Sequence, residues 1–248
     1  MKQKILFLLL IIFLFGCKKK SDNITVIKSN KKNITANVIS SPKDKNTVEN
    51  SNSPKFPKTG KSIEDFVLSS YEIKMQAEGF LNDDKLKDIV IILQNTIDNT
   101  DSRPTLVLLK QDTGEYRLQE ISWEAVEAEC TEEYGKMYDY EEISIDEERK
   151  LHIKLQGIGP IGTRETLYQY INNQLVLVGI NTFNMGAGSQ LDQEYNLVSG
   201  EADIEIINTM VDSMPSTHTI KKFKLKRKML FVSDNPNTVL EGLLRADW

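Results

Sequence analysis

Beyond Tyr71 the apolar residues of this chain recur at every second position, in runs parted by short polar turns, and that period limits its folds more than any other feature. A strand sends successive side chains to opposite faces, so alternation of this kind makes one buried face and one wet one. Tyr71 to Leu81, Asp88 to Gln94, Thr105 to Gln111 and Tyr116 to Ile121 read as strands, with Asp112-Thr113-Gly114 as the hairpin turn between the last two. Ile89-Val90-Ile91-Ile92-Leu93 is apolar at every position, which predicts a central strand covered on both faces.

From Glu142 onward the same reading continues. Ile143 and Ile145, then Leu151, Ile153 and Leu155, alternate with polar residues, which places His152 beside Lys154 on the outer face as a surface residue. Tyr168 to Ile171 and Leu175 to Ile180 flank Asn172-Asn173-Gln174, a tight hairpin. Gly186-Ala187-Gly188-Ser189 reads as a flexible loop without the nucleophile-elbow pattern. Glu201 to Ile206 and a long strand from Thr219 to Val232 are expected to pair, setting Glu201, Asp203 and Glu205 against the row Lys222, Lys224, Lys226 and Lys228. Helices are few. Ser62-Ile63-Glu64-Asp65 resembles a capping box opening a short helix to Ser69, and another is expected near Thr238 to Leu244. A third is expected between Ser122 as N-cap and Gly135 as stop, where Trp123, Val126, Cys130 and Tyr134 share a face. The fold class is therefore mainly β: a single antiparallel β-rich domain over 61–248, a sandwich or propeller-like sheet with a few short helices.

Charge divides the chain. Between residues 18 and 60 ten lysines face three acids, whereas beyond residue 60 there are 19 basic and 33 acidic side chains, a net charge of −14. An acidic body repels phosphates, so nucleic acid is a poor partner. Residues 17–60, rich in Lys, Asn, Ser, Thr and Pro, carry too little apolar surface to offset ordering and read as a flexible basic tether. His152 and His218 are the only histidines, which excludes a histidine-rich zinc site. Cys17 and Cys130 are the only cysteines, and Cys130 reads as a buried small residue. The twelve acids between Glu120 and Glu148 read mostly as a solvated surface.

At the start, Lys2 and Lys4 precede the apolar run Ile5 to Phe15, then Gly16 and Cys17. A basic beginning and an apolar core too short to span a bilayer form an export signal, residues 1–16. Leu14-Phe15-Gly16-Cys17 resembles the lipobox of bacterial lipoproteins. The resemblance implies cleavage before Cys17, a diacylglycerol on its sulfur and an acyl chain such as palmitate on its new amine, giving a membrane-attached protein that does not span.

Gly79-Phe80-Leu81-Asn82-Asp83-Asp84-Lys85-Leu86-Lys87-Asp88-Ile89-Val90 resembles the calcium loop of FG-GAP and VCBS-type repeats. The resemblance puts Asn82, Asp84 and Asp88 on metal-ligand positions for calcium, which takes six to eight hard oxygens. Phe80 and Lys85 stand where that pattern has Asp and Gly, and there is one copy; the alternative is a turn in which Asn82 and Asp84 cap the backbone. The order of lipobox, polar stalk, this loop, Leu106 to Leu109, and Asn172 to Gly179 also resembles a group of Gram-negative envelope lipoproteins. It implies one β-rich envelope domain and supplies no catalytic residues. The expected role is non-enzymatic, binding or structurally supporting an envelope component, a protein or a saccharide, from the periplasmic face of the outer membrane. The alternatives are a calcium-dependent adhesive module and a carboxylate-based envelope hydrolase using residues such as Glu142 or Asp146.

Overall fold

A computed structural model of the chain describes residues 54–158 and 161–245. The signal 1–16, Cys17 and the tether as far as residue 53 lie outside the described residues.

The apolar run at Ile89 lies where its composition requires. Strand β3 (Asp88–Asn95) has Val90, Ile91, Ile92 and Leu93 fully buried, because both faces of its sheet are covered. That sheet also holds β1 (Thr59–Gly60), β2 (Tyr71–Gly79), β4 (Thr105–Lys110) and β5 (Tyr116–Ser122), in the order β1-β5-β4-β3-β2. One face presents Ile91, Leu93, Leu106 and Leu108 to Phe56, Phe66 and Tyr71. Phe66 ends a 3-10 helix, Ile63–Phe66, whose start is held by the Asp65 carboxylate accepting the N–H groups of Lys61 and Ser62. The expected helix to Ser69 is cut to this single turn. The packed chain also begins before Ser62: Phe56 belongs to the core and β1 pairs with β5.

The opposite face presents Val90, Ile92, Val107 and Leu109 to a second, larger sheet across the main core. This sheet comprises β8 (Tyr138–Ile145), β9 (Leu151–Gly157), β10 (Thr163–Ile171), β11 (Gln174–Gly186), β12 (Ser189–Asn196), β13 (Glu201–Asn208) and β14 (Ser216–Lys222). They run as an unbroken antiparallel meander, with the short β15 (Met229–Leu230) added to β11. Leu151, Ile153, Leu155, Tyr168, Leu177, Ile180 and Tyr195 supply its inward face, and Leu243 of α1 (Pro236–Arg245) joins the same core. Gly79 of β2 meets Ile145 of β8 so closely that a Cβ there would lie 2.6 Å from the Ile145 Cβ. Among the described residues the result is two main antiparallel sheets, neither closed into a barrel, beside one two-stranded ribbon.

Turn chemistry sets the registers. Asn172 and Asn173 both adopt positive φ, 55° and 61°, and join Ile171 to Gln174 as a two-residue hairpin. Ala187 and Gly188 do the same between Gly186 and Ser189, so the expected flexible loop is a tight turn.

Two further expected elements differ. Ser122 does cap a turn, its Oγ accepting the N–H groups of Glu124 and Ala125, and Gly135 does take positive φ; between them the chain makes turns and a ribbon of β6 (Cys130–Thr131) and β7 (Gly135–Lys136). The helix loses because its groups have better partners elsewhere. Arg103 Nε takes the Glu127 carbonyl oxygen at 2.5 Å, an acceptor a helix would need for residue 131, while Cys130 N–H goes to the Asn99 carbonyl. Cys130 is half-buried and unbridged. The expected strand Thr219 to Val232 ends at Lys222, because its partner β13 begins at Glu201 and offers no residue beyond. Only Glu201–Lys222 survives as a carboxylate–lysine pair, at 3.3 Å, with Asp203 opposite Ile220 and Glu205 opposite His218.

Candidate functional site

The loop between β2 and β3 follows its residues closely. Asn82 Oδ1 accepts the Asp84 N–H at 2.9 Å, and Asp84 Oδ1 accepts the Leu86 N–H at 2.8 Å. Asp88 turns into the protein, fully buried, with one carboxylate oxygen on the Leu81 N–H and the other on the Lys110 N–H. Burial pushes its pKa up despite those hydrogen bonds. With Asp88 so occupied, the ligand positions leave only the Asn82 amide and the Asp84 carboxylate outside, well short of the oxygens calcium takes, and those positions fit calcium only if Asp88 leaves the core. Among the described residues no group of three or more His, Cys, Asp or Glu side chains is arranged to hold a metal ion.

His152 lies on the outer face of the larger sheet as its alternation requires, but it is half-buried and tightly held. Its Nε2 is 2.9 Å from Asp146 Oδ2 and its Nδ1 2.9 Å from Glu165 Oε1. Asp146 is anchored in turn by the Lys150 N–H, and Glu165 by Asn181 Nδ2. Burial opposes charge on the ring, yet the two carboxylates prevail and raise its pKa, while the hydrogen bonds of Asp146 lower its own. With both nitrogens engaged, the ring is a clamp between β8, β9 and β10. Glu142 takes the Tyr140 hydroxyl at 3.0 Å on the same face.

A second polar cluster lies inside. Arg164, inward on β10 with Thr166 and Tyr168, holds Glu127 with both nitrogens, at 2.5 and 2.8 Å, and Asn237 of α1 bonds both partners. Arg103, fully buried, ion-pairs with Glu141 at 2.6 Å. Glu127 and Glu141 are thus exceptions to the solvated acidic surface. Beside them the Tyr138 hydroxyl, buried and close to the Glu127 carboxylate, has its pKa pushed up to about 12. These groups tie the 122–137 excursion and α1 onto the larger sheet.

A polar cleft of about 770 Å³ lies beside the main core, with lining residues from both sheets. Its apolar base is Leu81 and Leu109; its polar lining includes Arg117, Gln119, Arg149, Tyr170 and the turn amides of Asn172 and Asn173. The alternation of β5 is broken in its favour. Val107 pairs with Glu120 and Leu108 with Leu118, so Gln119 is the extra residue of a β-bulge, a device that re-aims a side chain. Glu120 faces the larger sheet and accepts the Leu175 N–H. The β8–β9 turn holds Arg149 at φ 64°, a conformation uncommon for a residue with a Cβ, with its N–H on the Asp146 carbonyl. Asp83 ion-pairs with Arg149 across the mouth. Burial, reinforced by the nearby Glu120 carboxylate, raises the Tyr170 pKa, so its hydroxyl is a donor at all ordinary pH.

Of the calcium-loop residues, Asn82 lines this cleft and Asp84 and Asp88 do not; neither do Glu142 and Asp146. Arg117 and Arg149 carried no sequence signal, since the bulge at Gln119 depends on the register of β5 with β4 and Arg is not a residue type that marks a left-handed turn. Arg164 carried one: it shares the parity of Tyr168 and Tyr170. No family model, curated protein or solved structure matches this chain. No helix among the described residues is long and apolar enough to cross a membrane.

Proposed function

We propose that this is a lipid-anchored protein of the bacterial envelope, acylated at Cys17 and held on the periplasmic face of the outer membrane, whose β domain binds an envelope component without transforming it. The observation that carries the binding half is the cleft, lined by arginines, amides and a phenol that recognise polar ligands, with its carboxylate Asp83 already paired to Arg149. The groups suited to proton transfer are held elsewhere: His152 has both nitrogens on carboxylates and Asp88 has both oxygens on backbone N–H groups. The anchoring half rests on the basic, apolar and cysteine sequence of residues 2–17. Two or three acyl chains hold a protein far more firmly than one, at about 0.8 kcal/mol per buried methylene.

The test follows the anchor and the partner together. Cells fed an alkyne analogue of palmitate are fractionated, and the full protein is crosslinked and captured from gently solubilised envelopes beside Cys17→Ala. Label and outer-membrane location should both disappear in the variant, along with the captured envelope component. A variant that stays labelled and sediments with the membrane overturns the assignment.

A further inference from the structure

We infer that the cleft between the two sheets takes an acidic sugar, a polyhydroxyl ligand bearing a carboxylate or phosphate, with Arg149 and Arg117 receiving the anion and Gln119 a hydroxyl. The inference rests on the binding role proposed above and assigns its ligand class.

The local charge comes first. The domain is acidic overall, yet this cleft carries two guanidinium groups against the single carboxylate Asp83, so it attracts an anion that most of the surface repels. Asp83 is a weak occupant. Its side chain is fully exposed and that of Arg149 is 42% exposed, and ion pairs in such positions contribute little. A ligand carboxylate or phosphate replaces Asp83 on Arg149 at small cost and gains the paired geometry that guanidinium offers such groups. Arg149 is presented for this by a backbone conformation that few residues with a Cβ adopt, of the sort that gathers at ligand sites.

The hydroxyl requirement comes from an atom without a partner. Gln119 Oε1 is buried and accepts no hydrogen bond within the described protein. A buried acceptor left unpaired is costly, and a ligand hydroxyl donating to Gln119 relieves that cost. Asn172 and Asn173 add amides at the rim, where a two-residue turn holds them rigidly. The combination asks for one anionic group and several hydroxyls on one small molecule. The volume lies within the range of about 300–1,000 Å³ typical of small-ligand clefts.

The full-length protein in detergent is titrated calorimetrically with four probes: trigalacturonate, glucose 6-phosphate, maltotriose and inorganic phosphate. One or both acidic sugars should bind with a Kd of about 0.1–1 mM, and maltotriose and phosphate at least about tenfold more weakly. The stronger acidic sugar shows whether the anion is carboxylate or phosphate. Arg117→Gln and Arg149→Gln should each weaken it by about tenfold. Asp83→Asn, at a fully exposed position, should tighten it by about threefold, since it removes the competing carboxylate. Binding of neither acidic sugar overturns the inference, as does maltotriose or phosphate binding equally well. So does Asp83→Asn with wild-type or weaker affinity, a result that loss of folding cannot mimic if its melting curve matches wild type. Each failure leaves the palmitate label and captured envelope component standing, so a wrong ligand class is distinguishable from a wrong functional assignment.

Discussion

His152 is the residue whose titration the fold controls most openly. Its pKa is raised, so its contribution to stability is complete below about pH 6.5, the ordinary imidazole value, and is lost as the pH climbs through the higher value it has when folded. The lowered pKa of Asp146 acts oppositely: its contribution is present above about pH 4 and is lost as the pH falls through its folded value. Melting wild type and His152→Gln between pH 5 and 9 should show wild type losing more of its midpoint above pH 6.5, with His152→Gln costing about 1–2 kcal/mol at pH 6. Parallel pH profiles would remove the clamp from the account. Asp88 makes a sharper residue-scale case. Asp88→Ala strands the Leu81 and Lys110 N–H groups inside the protein and should cost about 2–4 kcal/mol, whereas Asp84→Ala, exposed, should cost under about 1. No midpoint, that of wild type included, should move between calcium and chelator; a calcium-dependent rise in wild type that both variants lose would show Asp88 leaving the core for a metal. At this scale the sequence was legible where alternation alone decides. His152 and Lys154 face outward as read, but two carboxylates from neighbouring elements half-bury the ring.

Some elements were legible because their cause is local. The asparagines at 172 and 173 mark a tight hairpin by their own chemistry, and the all-apolar Ile89 to Leu93 demands cover on both faces, although the equally local turn at Ala187-Gly188 read as a flexible loop. The Ser122 to Gly135 segment was misread because its cap and stop are real while its interior is claimed by Arg103 and Arg164, which lie far away in sequence. The strand after Thr219 was misread because its length depends on where β13 starts. Between elements, the approach of β2 to β8 rests on one missing side chain. Gly79→Ala drives a Cβ into Ile145 and should cost about 1–3 kcal/mol. Ile145→Val in the Gly79→Ala background should recover less than half of that, because the Ile145 Cβ is among the clashing atoms. Purely additive effects in the four-member cycle would mean that the sheets do not meet there.

On the scale of the whole molecule, antiparallel β architecture was readable and the stacking was not. Alternation says that each strand has an inner face but not which sheet lies against it, and the cleft needs Leu81, Leu109 and Arg117 of the smaller sheet's side beside Arg149 and Tyr170 of the larger sheet's. The covering of the outer face of the smaller sheet was equally hidden. Phe56 lies in a segment whose composition reads as tether, yet it packs on Tyr71 and Trp123, with ring centroids 6.1 and 6.3 Å away. A protein beginning at Lys61 therefore lacks both Phe56 and β1, and β5 loses its outer partner. Losing a buried phenylalanine alone costs about 3–5 kcal/mol, and for a domain of this size each kcal/mol lowers the midpoint by about 2–4 °C. The protein beginning at Lys61 should thus melt about 6–20 °C below one beginning at Pro54, with Phe56→Ala in the longer protein accounting for most of the difference. Equal midpoints would place residues 54–60 outside the cooperative fold and restore the boundary that composition suggests.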